Sequence, residues 1–414
     1  MIIEISIENY LSIKEKITFS LDSSASKKLP QNIIKSDKGR ILRSAVIYGP
    51  NASGKSNLIK SVFFIWSLVK HSHSFNVDTK LNNINPKRMP FKLDPKYLKK
   101  PSRFEIQFIY KKIKYKYGFS CDDNRIVDEY LFYWPKGRES LIFKREKTKK
   151  FLFTINKNQQ KTIEKQMNDN VLYLSRATQL GYGETKLAYE FIVNNITINP
   201  YLNDINMAFK EISDNPKLNN WILSFLKKTD FGGIEDIQIN KKKGWKNTLV
   251  INKGGDISQK HEEAEVYNPT FIHKNSDSAL INFGIEEESL GTQKTIMMLV
   301  PFFDAINSGK IVIIDELESS LHPNISKLLI RLFNRKNVSN AQLIFTTHNT
   351  GLLDEDLFRR DQVYICSKES NKNTLLRSLL DFALREDADF ERAYLNGRVG
   401  GIPFIDETLL EEMR

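Results

Sequence analysis

The chain has 414 residues, of which 40% are hydrophobic and 27% charged, with 19 Gly and 13 Pro. This composition excludes global disorder and the collagen-like and low-complexity classes, and the length predicts two or three structural units. Lys and Arg exceed Asp and Glu by 62 − 50 = +12. That excess is compatible with a polyanionic partner, and equally with the Lys-, Asn- and Ile-rich composition that an AT-rich genome produces.

The cysteine content and the length of the apolar stretches indicate the cellular compartment of the protein. Cys121 and Cys366 are too few to staple a chain of this length and match no metal or redox spacing, which favours a reducing setting. The longest apolar stretches, such as 296–303, are well short of the roughly 20 residues that span a bilayer. Glu4 lies where a secretory signal would be apolar. We therefore predict a cytoplasmic protein without a membrane segment.

Two strands, a loop, a third strand and a helix are predicted near the N-terminus. Ile2–Glu8 alternates in hydrophobicity, and Ile17–Leu21 forms a second short strand pattern. Asp22–Gly39 is polar and contains a proline, which predicts a loop. Ser44–Tyr48 is a compact apolar run before a glycine, typical of a buried strand. Asn57–Val69 has apolar residues at helical spacing.

Hairpins of period 2 follow. Phe104–Tyr110, Tyr115–Ser120, Ile126–Tyr133 and Leu141–Ile155 predict an antiparallel sheet, and Val171–Leu174 predicts one more short strand.

The rest of the chain changes from helical to alternating patterns. Gly181–Lys228 has helical periodicity, and two strands then flank a turn at Lys241–Trp245. After Ser289 the pattern alternates between helix and buried strand, which is typical of a parallel α/β sheet. The predicted elements are strands at Ile237–Asn240, Thr248–Asn252, Ile311–Ile314 and Gln342–Thr346, with a helix at Ile325–Phe333.

The strongest motif is Gly49-Pro50-Asn51-Ala52-Ser53-Gly54-Lys55-Ser56, which fits G-x-x-x-x-G-K-[ST] between a predicted strand and a helix that starts at Asn57. The two glycines let the backbone N–H groups face phosphates at a helix N-terminus. Lys55 would contact the β- and γ-phosphates, and the Ser56 hydroxyl would bind Mg²⁺. The predicted nucleotide-binding residues run from Gly49 through Asn57. The alternative is a glycine-rich turn that only caps a helix.

Two acids and a histidine follow the later buried strands. Asp315 and Glu316 end the strand Ile311–Ile314, where α/β sheets place their ligands. We expect Asp315 to help hold Mg²⁺ and Glu316 to polarise the attacking water. His348 follows the next strand and is expected beside the γ-phosphate. The simpler alternatives are acids that start a turn and an ordinary structural histidine.

A further candidate lies at the start of a helix, in the segment Glu288-Ser289-Leu290-Gly291-Thr292-Gln293. Ser289 is a natural N-cap, and this capping role is the simpler interpretation. A Ser and a Gly at a helix start also bind phosphate, so Ser289 and Gly291 are predicted nucleotide-binding residues.

This ordered set of motifs resembles the ABC-type ATPases. It comprises the P-loop Gly49–Ser56, a degenerate signature at Ser289-x-Gly291, the pair Asp315-Glu316, a D-loop-like Glu318-Ser319-Ser320-Leu321-His322 and the switch His348. Order and spacing suit the branch of RecF, the SMC-like repair ATPases and the OLD proteins. The segments IENYLSIKEKITFSL, IYGPNASGKSN and YLNGRVGGIPFI are similar to phage-defence ATPases of the RloA/AbiL type.

The resemblance implies an α/β fold with three parts. They are an N-terminal ATPase lobe at 1–175 with the P-loop and antiparallel β hairpins, a helical insertion with a β hairpin at 176–275, and a C-terminal ATPase lobe at 276–414. Together they form an ABC-type ATPase head with a parallel P-loop sheet, an antiparallel β subdomain and a helical insertion.

The resemblance also implies a head-to-tail homodimer, or a higher homo-oligomer, that sandwiches ATP and Mg²⁺. Each site would combine the P-loop, Asp315, Glu316 and His348 of one copy with Ser289 and Gly291 of the other. Leu290, Thr292 and His322 depart from the family pattern. Gln179, after the predicted strand Val171–Leu174, is the candidate Q-loop residue and Mg²⁺ ligand, with an ordinary loop residue as the alternative.

Partners besides ATP are less defined. Two basic stretches, Lys87–Arg103 and Lys136–Lys150, would suit DNA or RNA phosphates, with solvated lysine-protected edges as the alternative. The 414 − 348 = 66 residues after His348 are too few for the Toprim nuclease of OLD proteins, and Asp387-Ala388-Asp389 is interpreted as a solvated helix face. A nuclease or toxin effector would therefore be a separate chain.

Three hypotheses result. The leading one is an ATP-hydrolysing sensor or regulator of a separate effector in bacterial anti-phage defence. The second is a RecF-like ATPase clamp acting on DNA, and the third is a nucleotide-gated scaffold with negligible turnover.

Overall fold

The structure is a computed structural model that describes residues 1–199, 205–229, 231, 233–251, 257–319, 321–336, 339–385 and 388–402. Contacts divide the chain into two compact units. Unit 1 comprises Met1–Ile198, Ala305–Glu318 and Ser326–Arg414, and unit 2 comprises Asn199–Asp304 and Ser319–Ile325. These units are assembled from separated segments, so the three-part division at 175 and 275 stays a prediction. Among the described residues, no helix is long and apolar enough to cross a membrane.

The elements have the following bounds. The strands are β1 (Ile2–Glu8), β2 (Ile17–Ser20), β3 (Ile33–Ser36), β4 (Gly39–Leu42), β5 (Ser44–Tyr48), β6 (Ser102–Tyr110), β7 (Ile113–Cys121), β8 (Ile126–Trp134), β9 (Ser140–Glu146), β10 (Lys150–Phe153), β11 (Ile196–Ile198), β12 (Ile234–Ile251), β13 (Ile257–Lys274), β14 (Leu280–Gly284), β15 (Ile311–Ile314), β16 (Gln342–Thr346), β17 (Val363–Lys368) and β18 (Thr374–Ser378). The helices are α1 (Lys55–His71), α2 (Pro95–Leu98), α3 (Lys157–Glu164), α4 (Tyr173–Gln179), α5 (Gly183–Asn194), α6 (Ile205–Asp214), α7 (Pro216–Lys227), α8 (Leu290–Ser308), α9 (Pro323–Lys336) and α10 (Phe390–Leu395).

A mainly parallel sheet lies at the centre of unit 1. Its strand order is β11-β15-β16-β5-β17-β18, and only β18 is antiparallel to its neighbour. Every residue of β5, β15 and β16 is buried. Strands of a parallel sheet are covered on both faces, which explains their continuous apolar sequences. The predicted α/β class and parallel sheet are confirmed.

A seven-stranded antiparallel sheet forms the second layer of unit 1, in the order β10-β9-β8-β7-β6-β1-β2. The predicted hairpins are confirmed, and their apolar side chains join one core with the inner face of α1. Phe64 of α1 provides part of this contact, with its ring centroid 5.0 Å from that of Phe104 and 5.4 Å from that of Tyr10. The antiparallel sheet therefore anchors the helix that follows the P-loop.

Gln342 joins the two sheets of unit 1 through a fully buried side chain on β16. Its Oε1 accepts from the backbone N–H of Ile2 at 2.5 Å, and its Nε2 donates to the carbonyls of Ile2 and Leu42 at 3.0 and 3.1 Å. The side chain thus binds both backbone polar groups of Ile2 and connects β16 to the start of β1 and the end of β4.

The predicted strand at Val171–Leu174 is wrong. α4 begins at Tyr173, and its first N–H groups, those of Tyr173 and Leu174, donate to the buried carboxylate of Glu129 at 2.6 and 3.0 Å. A short apolar run is buried in either conformation, so its sequence does not separate strand from helix. Here a carboxylate contributed by β8 stabilises the helix start.

The predicted turn at Lys241–Trp245 is also wrong, because these residues lie inside the continuous strand β12, which pairs with β13 in unit 2. Cross-strand ion pairs compensate the clustered charges: Lys241 lies 2.6 Å from Glu265, and Lys243 lies 3.6 Å from Glu263. Two further elements differ from expectation. The predicted loop at 22–39 contains β3, and the predicted helical region contains the edge strand β11.

The core of unit 2 forms where α6 and α7 cover the β12–β13 hairpin. Phe209, Ile222, Ile237 and Phe271 are buried, and the ring centroids of Phe209 and Phe271 are 6.3 Å apart.

We predict that Gln342→Leu lowers the free energy of unfolding by about 2–4 kcal/mol, because three buried backbone groups lose this hydrogen-bond partner. Urea unfolding followed by tryptophan fluorescence measures the change. The control is Gln107→Leu, which removes one hydrogen bond, to Glu4, at a half-buried position. We expect the control to change stability by less than about 1 kcal/mol. Equal losses for the two variants would contradict the assigned role of Gln342.

Candidate functional site

Three loops meet at the carboxyl edge of the parallel sheet. β16 lies between β15 and β5, with Ile314 opposite Phe345 and Thr346 opposite Ile47. The residues that follow these strands therefore emerge side by side. They are Gly49 after β5, Asp315 after β15 and Thr347 after β16. This register brings together the predicted P-loop, acidic pair and histidine.

Two glycines allow the P-loop to follow its path. Gly49 has φ 153°, and a Cβ there would lie 2.2 Å from the carbonyl oxygen of Cys366 on β17. Gly54 has φ 115°, and a Cβ there would lie 2.3 Å from Oγ1 of Thr374. Both positive φ values favour glycine, and both positions lack room for a side chain. Pro50 is half-buried, while Asn51 and Ala52 form the exposed crest of the loop.

Lys55, the first residue of α1, turns its side chain back over the loop. The side chain is 7% exposed, and its Nζ donates to the carbonyls of Gly49 at 2.6 Å and Pro50 at 3.0 Å. Burial lowers the pKa of Lys55, and the nearby groups of Cys366, Glu316 and Asp315 oppose that shift. The ammonium group is therefore held inside the loop, close to the acidic pair.

The β17–β18 hairpin forms the wall behind the P-loop. Thr374 Oγ1 donates to the carbonyl of Ser53 at 3.0 Å, and Cys366 Sγ lies 3.5 Å from the same oxygen. Burial raises the pKa of the Cys366 thiol to about 11, so it stays protonated at neutral pH. The Ser53 hydroxyl is buried without a hydrogen-bond partner among the described residues. It is a polar group inside the loop that a ligand oxygen would satisfy.

Asn57 and Ser12 extend this network beyond the loop. Asn57 Nδ2 donates to Ser12 Oγ at 2.6 Å, and Ser12 Oγ lies 2.7 Å from Thr374 Oγ1. Asn57 therefore holds the end of the P-loop against the loop after β1, and its direct role towards nucleotide stays a prediction.

Thr346 connects the acidic pair to β16. Its hydroxyl donates to Oδ1 of Asp315 at 2.6 Å and accepts from the backbone N–H of Glu316 at 2.8 Å. Glu316 has φ 54°, and its side chain is exposed. The hydroxyl thus holds Asp315 half-buried while the chain turns sharply to present the Glu316 carboxylate to solvent. No role for Thr346 was predicted from the sequence, because a threonine at the end of a strand is common.

His348 lies at the same edge and contacts a second acid. Its backbone N–H donates to Oε1 of Glu318 at 2.8 Å, and its ring Nδ1 lies 3.2 Å from that oxygen. The His348 side chain is 54% exposed, whereas that of Glu318 is 7% exposed. The histidine therefore projects outward from a buried acidic support.

Ser289 directly precedes α8 and caps it, as the capping interpretation predicts. Its hydroxyl accepts from the backbone N–H of Thr292 at 3.0 Å, and it lies 2.9 Å from the Thr292 hydroxyl. Gly291 is in the first turn, where its carbonyl accepts from Thr295 Oγ1 at 2.8 Å. Both residues belong to unit 2, and their contact with the nucleotide of a second copy stays a prediction.

Gln179 is the last residue of α4 and is exposed, with its Oε1 accepting from Arg176 at 2.9 Å. The strand that supported its assignment as a Q-loop residue is absent, and its role as a Mg²⁺ ligand stays a prediction. Ser320 of the D-loop-like segment, Asp387 of the second acidic pair and 403–405 of the C-terminal motif lie outside the described residues.

The two basic stretches contain residues that serve the fold. Arg88 is buried and contacts Asp123 at 2.5 Å, while buried Arg145 donates to the carbonyl of Val171 at 2.8 Å. Lys144 pairs with Glu146 at 2.6 Å. These contacts favour the interpretation of a solvated sheet edge over that of a continuous phosphate-binding surface.

Solved structures that share features with this chain include three SMC heads. The SMC head domain from Thermotoga maritima is 12% identical, with 91% of this chain and 98% of that chain covered and a TM-score of 0.41. An Smc head bound to the C-winged helix domain of ScpA is 13% identical, with 92% and 98% covered and a TM-score of 0.46. A head with an extended coiled coil, bound to the C-terminal domain of ScpA and derived from Pyrococcus furiosus, is 13% identical, with 92% and 97% covered and a TM-score of 0.41.

No curated protein matches the chain. A family model does match it, over residues 44–354, which is 311 of the 414 residues. The matched range includes the P-loop, Asp315, Glu316 and His348. The chain therefore belongs to the ATPase family described as "AAA domain, putative AbiEii toxin, Type IV TA system".

Proposed function

We propose that this protein binds and hydrolyses ATP and that its nucleotide state regulates a separate effector in bacterial defence against phage. The observation that carries the ATPase part is the shared carboxyl edge of β5, β15 and β16. This edge places a P-loop, an acidic pair and a histidine on adjacent loops. Ligand sites of parallel α/β sheets form at this edge.

The residues at this edge fit ATP and Mg²⁺. The cradle at Gly49 and Gly54 has no space for a Cβ, and the Ser53 hydroxyl inside it lacks a partner among the described residues. Ser56 and Asp315 supply the oxygen ligands that Mg²⁺ prefers. Mg²⁺, when bound, neutralises charge on the β- and γ-phosphates.

Three residues of the site then have distinct roles in hydrolysis. Lys55 exchanges its two carbonyl partners for phosphate oxygens, which is favourable because an ammonium–phosphate bond is charge-assisted. Glu316, exposed at a strained turn, accepts a proton from the attacking water. His348 projects from the adjacent loop to contact the transferred group.

Dimerisation through the nucleotide is the second part of the proposal. The exposed start of α8 supports it, because Leu290 is 68% exposed and a capped helix start favours an anion. ATP would join two copies, and hydrolysis would release them. The family description, which names a putative toxin of a Type IV TA system, supports a place in defence systems. The similarity to RloA/AbiL-type ATPases supports a sensor that controls a partner.

We predict that Glu316→Gln binds ATP with wild-type affinity, hydrolyses it at least about 100-fold more slowly and accumulates as a dimer or larger assembly, because the water loses its proton acceptor. Fluorescent-nucleotide titration, phosphate release and light scattering measure the three properties. Glu139→Gln, which changes an exposed acid between β8 and β9 of the antiparallel sheet, is the control and retains turnover. A Glu316→Gln protein that is monomeric in saturating ATP would contradict the sandwich.

We predict that Ser289→Arg binds ATP but does not assemble in the Glu316→Gln background, because the long side chain blocks the approach of a second copy to the helix start. Ser289→Ala is the matched control. It loses the cap, at a cost of about 1 kcal/mol, without adding bulk. We expect the Ala variant to assemble. If the Arg variant assembles equally well, Ser289 does not belong to the composite site.

The effector part is tested by purifying tagged Glu316→Gln protein from its host with ATP present. We expect a separate protein in stoichiometric amount, identified by mass spectrometry, and its loss in the Lys55→Ala variant, which cannot hold the nucleotide. Nucleic acid without a protein partner would overturn the effector proposal and favour the DNA clamp.

A further inference from the structure

We propose that Glu318 is a positioning residue for ATP hydrolysis: its carboxylate holds the His348 ring with the proton on Nδ1, so that the unprotonated Nε2 is presented to the attacking water and accepts from one of its O–H groups. The inference rests on the proposed ATPase function for the role of His348, while the contact between the two side chains is independent of that function.

The tautomer follows from the two contacts at one oxygen. Glu318 Oε1 accepts from the backbone N–H of His348 at 2.8 Å, and a backbone N–H can only donate. The same oxygen lies 3.2 Å from Nδ1 of the ring. A carboxylate oxygen at this distance favours a proton on Nδ1 over a lone pair, because negative charge attracts an N–H and repels a lone pair, so we assign the proton to Nδ1. In the neutral ring Nε2 is then left without a proton and accepts hydrogen bonds.

The difference in burial between the two side chains indicates which residue orients the other. The Glu318 side chain is 7% exposed and that of His348 is 54% exposed. The carboxylate is enclosed by the fold and lies three residues after Asp315, while the backbone contact ties it to the loop that carries the histidine. The acid therefore orients the ring, and the ring meets the solvent.

The second carboxylate oxygen of Glu318 lacks a hydrogen-bond partner among the described residues, which indicates a functional role for this acid and not a stabilising one. Oε2 is buried without a hydrogen-bond partner among the described residues, and the same holds for the hydroxyl of Tyr48. Burial raises the pKa of Tyr48, and the charge of Glu318 adds to that shift. A buried carboxylate oxygen without a partner opposes folding. Sites that retain such groups are commonly functional.

The test compares two replacements of similar size. Glu318→Gln retains an acceptor oxygen for Nδ1, whereas Glu318→Met has none. The first readout is the tautomer of His348, from ring ¹⁵N shifts of histidine-labelled protein. The His348→Asn variant assigns the signal, and the other five of the six histidines serve as internal standards. We expect protonated Nδ1 in the wild type and in Glu318→Gln, and a shift towards protonated Nε2 in Glu318→Met.

The second readout is steady-state ATP hydrolysis. We expect Glu318→Met to lower kcat by about 10- to 100-fold, the range for residues that orient a functional group, with little change in KM. The double variant with His348→Ala should be no slower than His348→Ala alone, because the acid acts through the histidine. Glu318→Gln should retain most of the activity. Thermal midpoints of all variants identify any that fail to fold.

The outcomes separate the two proposals. An unchanged His348 tautomer in folded Glu318→Met overturns the positioning role, whatever the turnover. Wild-type kcat in Glu318→Met, with an active wild-type enzyme, also overturns it and leaves the ATPase intact. A wild-type protein that binds no ATP overturns the proposed function, and the positioning role in hydrolysis falls with it.

Discussion

The parallel pairing of β15, β16 and β5 is the constraint on which the candidate site depends. The three strands are completely buried, and their register places Ile314 beside Phe345 and Thr346 beside Ile47. A shift of one residue would turn each apolar side chain to the opposite face and move each following loop along the sheet edge. The P-loop, the acidic pair and the histidine are therefore aligned by hydrophobic packing that involves none of their own side chains.

Buried polar side chains refine this arrangement. Gln342 joins β16 to β1, Thr346 joins β16 to the acidic pair, and Glu318 supports His348. Hydrogen bonds inside a protein are costly to leave unmade, so each of these side chains favours the conformation in which its hydrogen bonds form. Packing determines which loops meet, and these three side chains determine how the loops are held.

At the P-loop, the β17–β18 hairpin also fixes a loop through contacts from a distant part of the chain. The carbonyl of Cys366 and the side chain of Thr374 approach Gly49 and Gly54 so closely that neither position accepts a Cβ. Glycine is thus required at both positions for two reasons: the positive φ, and the contacts from two strands that lie more than 300 residues away in sequence. A motif that is defined locally is completed by a distant segment of the chain.

Elements with a local signal can be predicted from the sequence. Buried apolar strands and a glycine-rich turn before a helix depend on neighbouring residues, and Asp315, Glu316 and His348 were predicted because each directly follows such a strand. Whether a short or highly charged segment forms a helix, a strand or a turn depends on contacts with distant parts of the chain. A carboxylate on β8 binds the N–H groups of Tyr173 and Leu174, where the apolar run enters α4, and Lys241 of β12 pairs with Glu265 of β13. Tertiary structure also selected Thr346 and Glu318, because their roles exist only once two strands lie side by side. Hydrophobic periodicity describes how one segment is buried, whereas a hydrogen bond between distant segments depends on the register of the whole sheet.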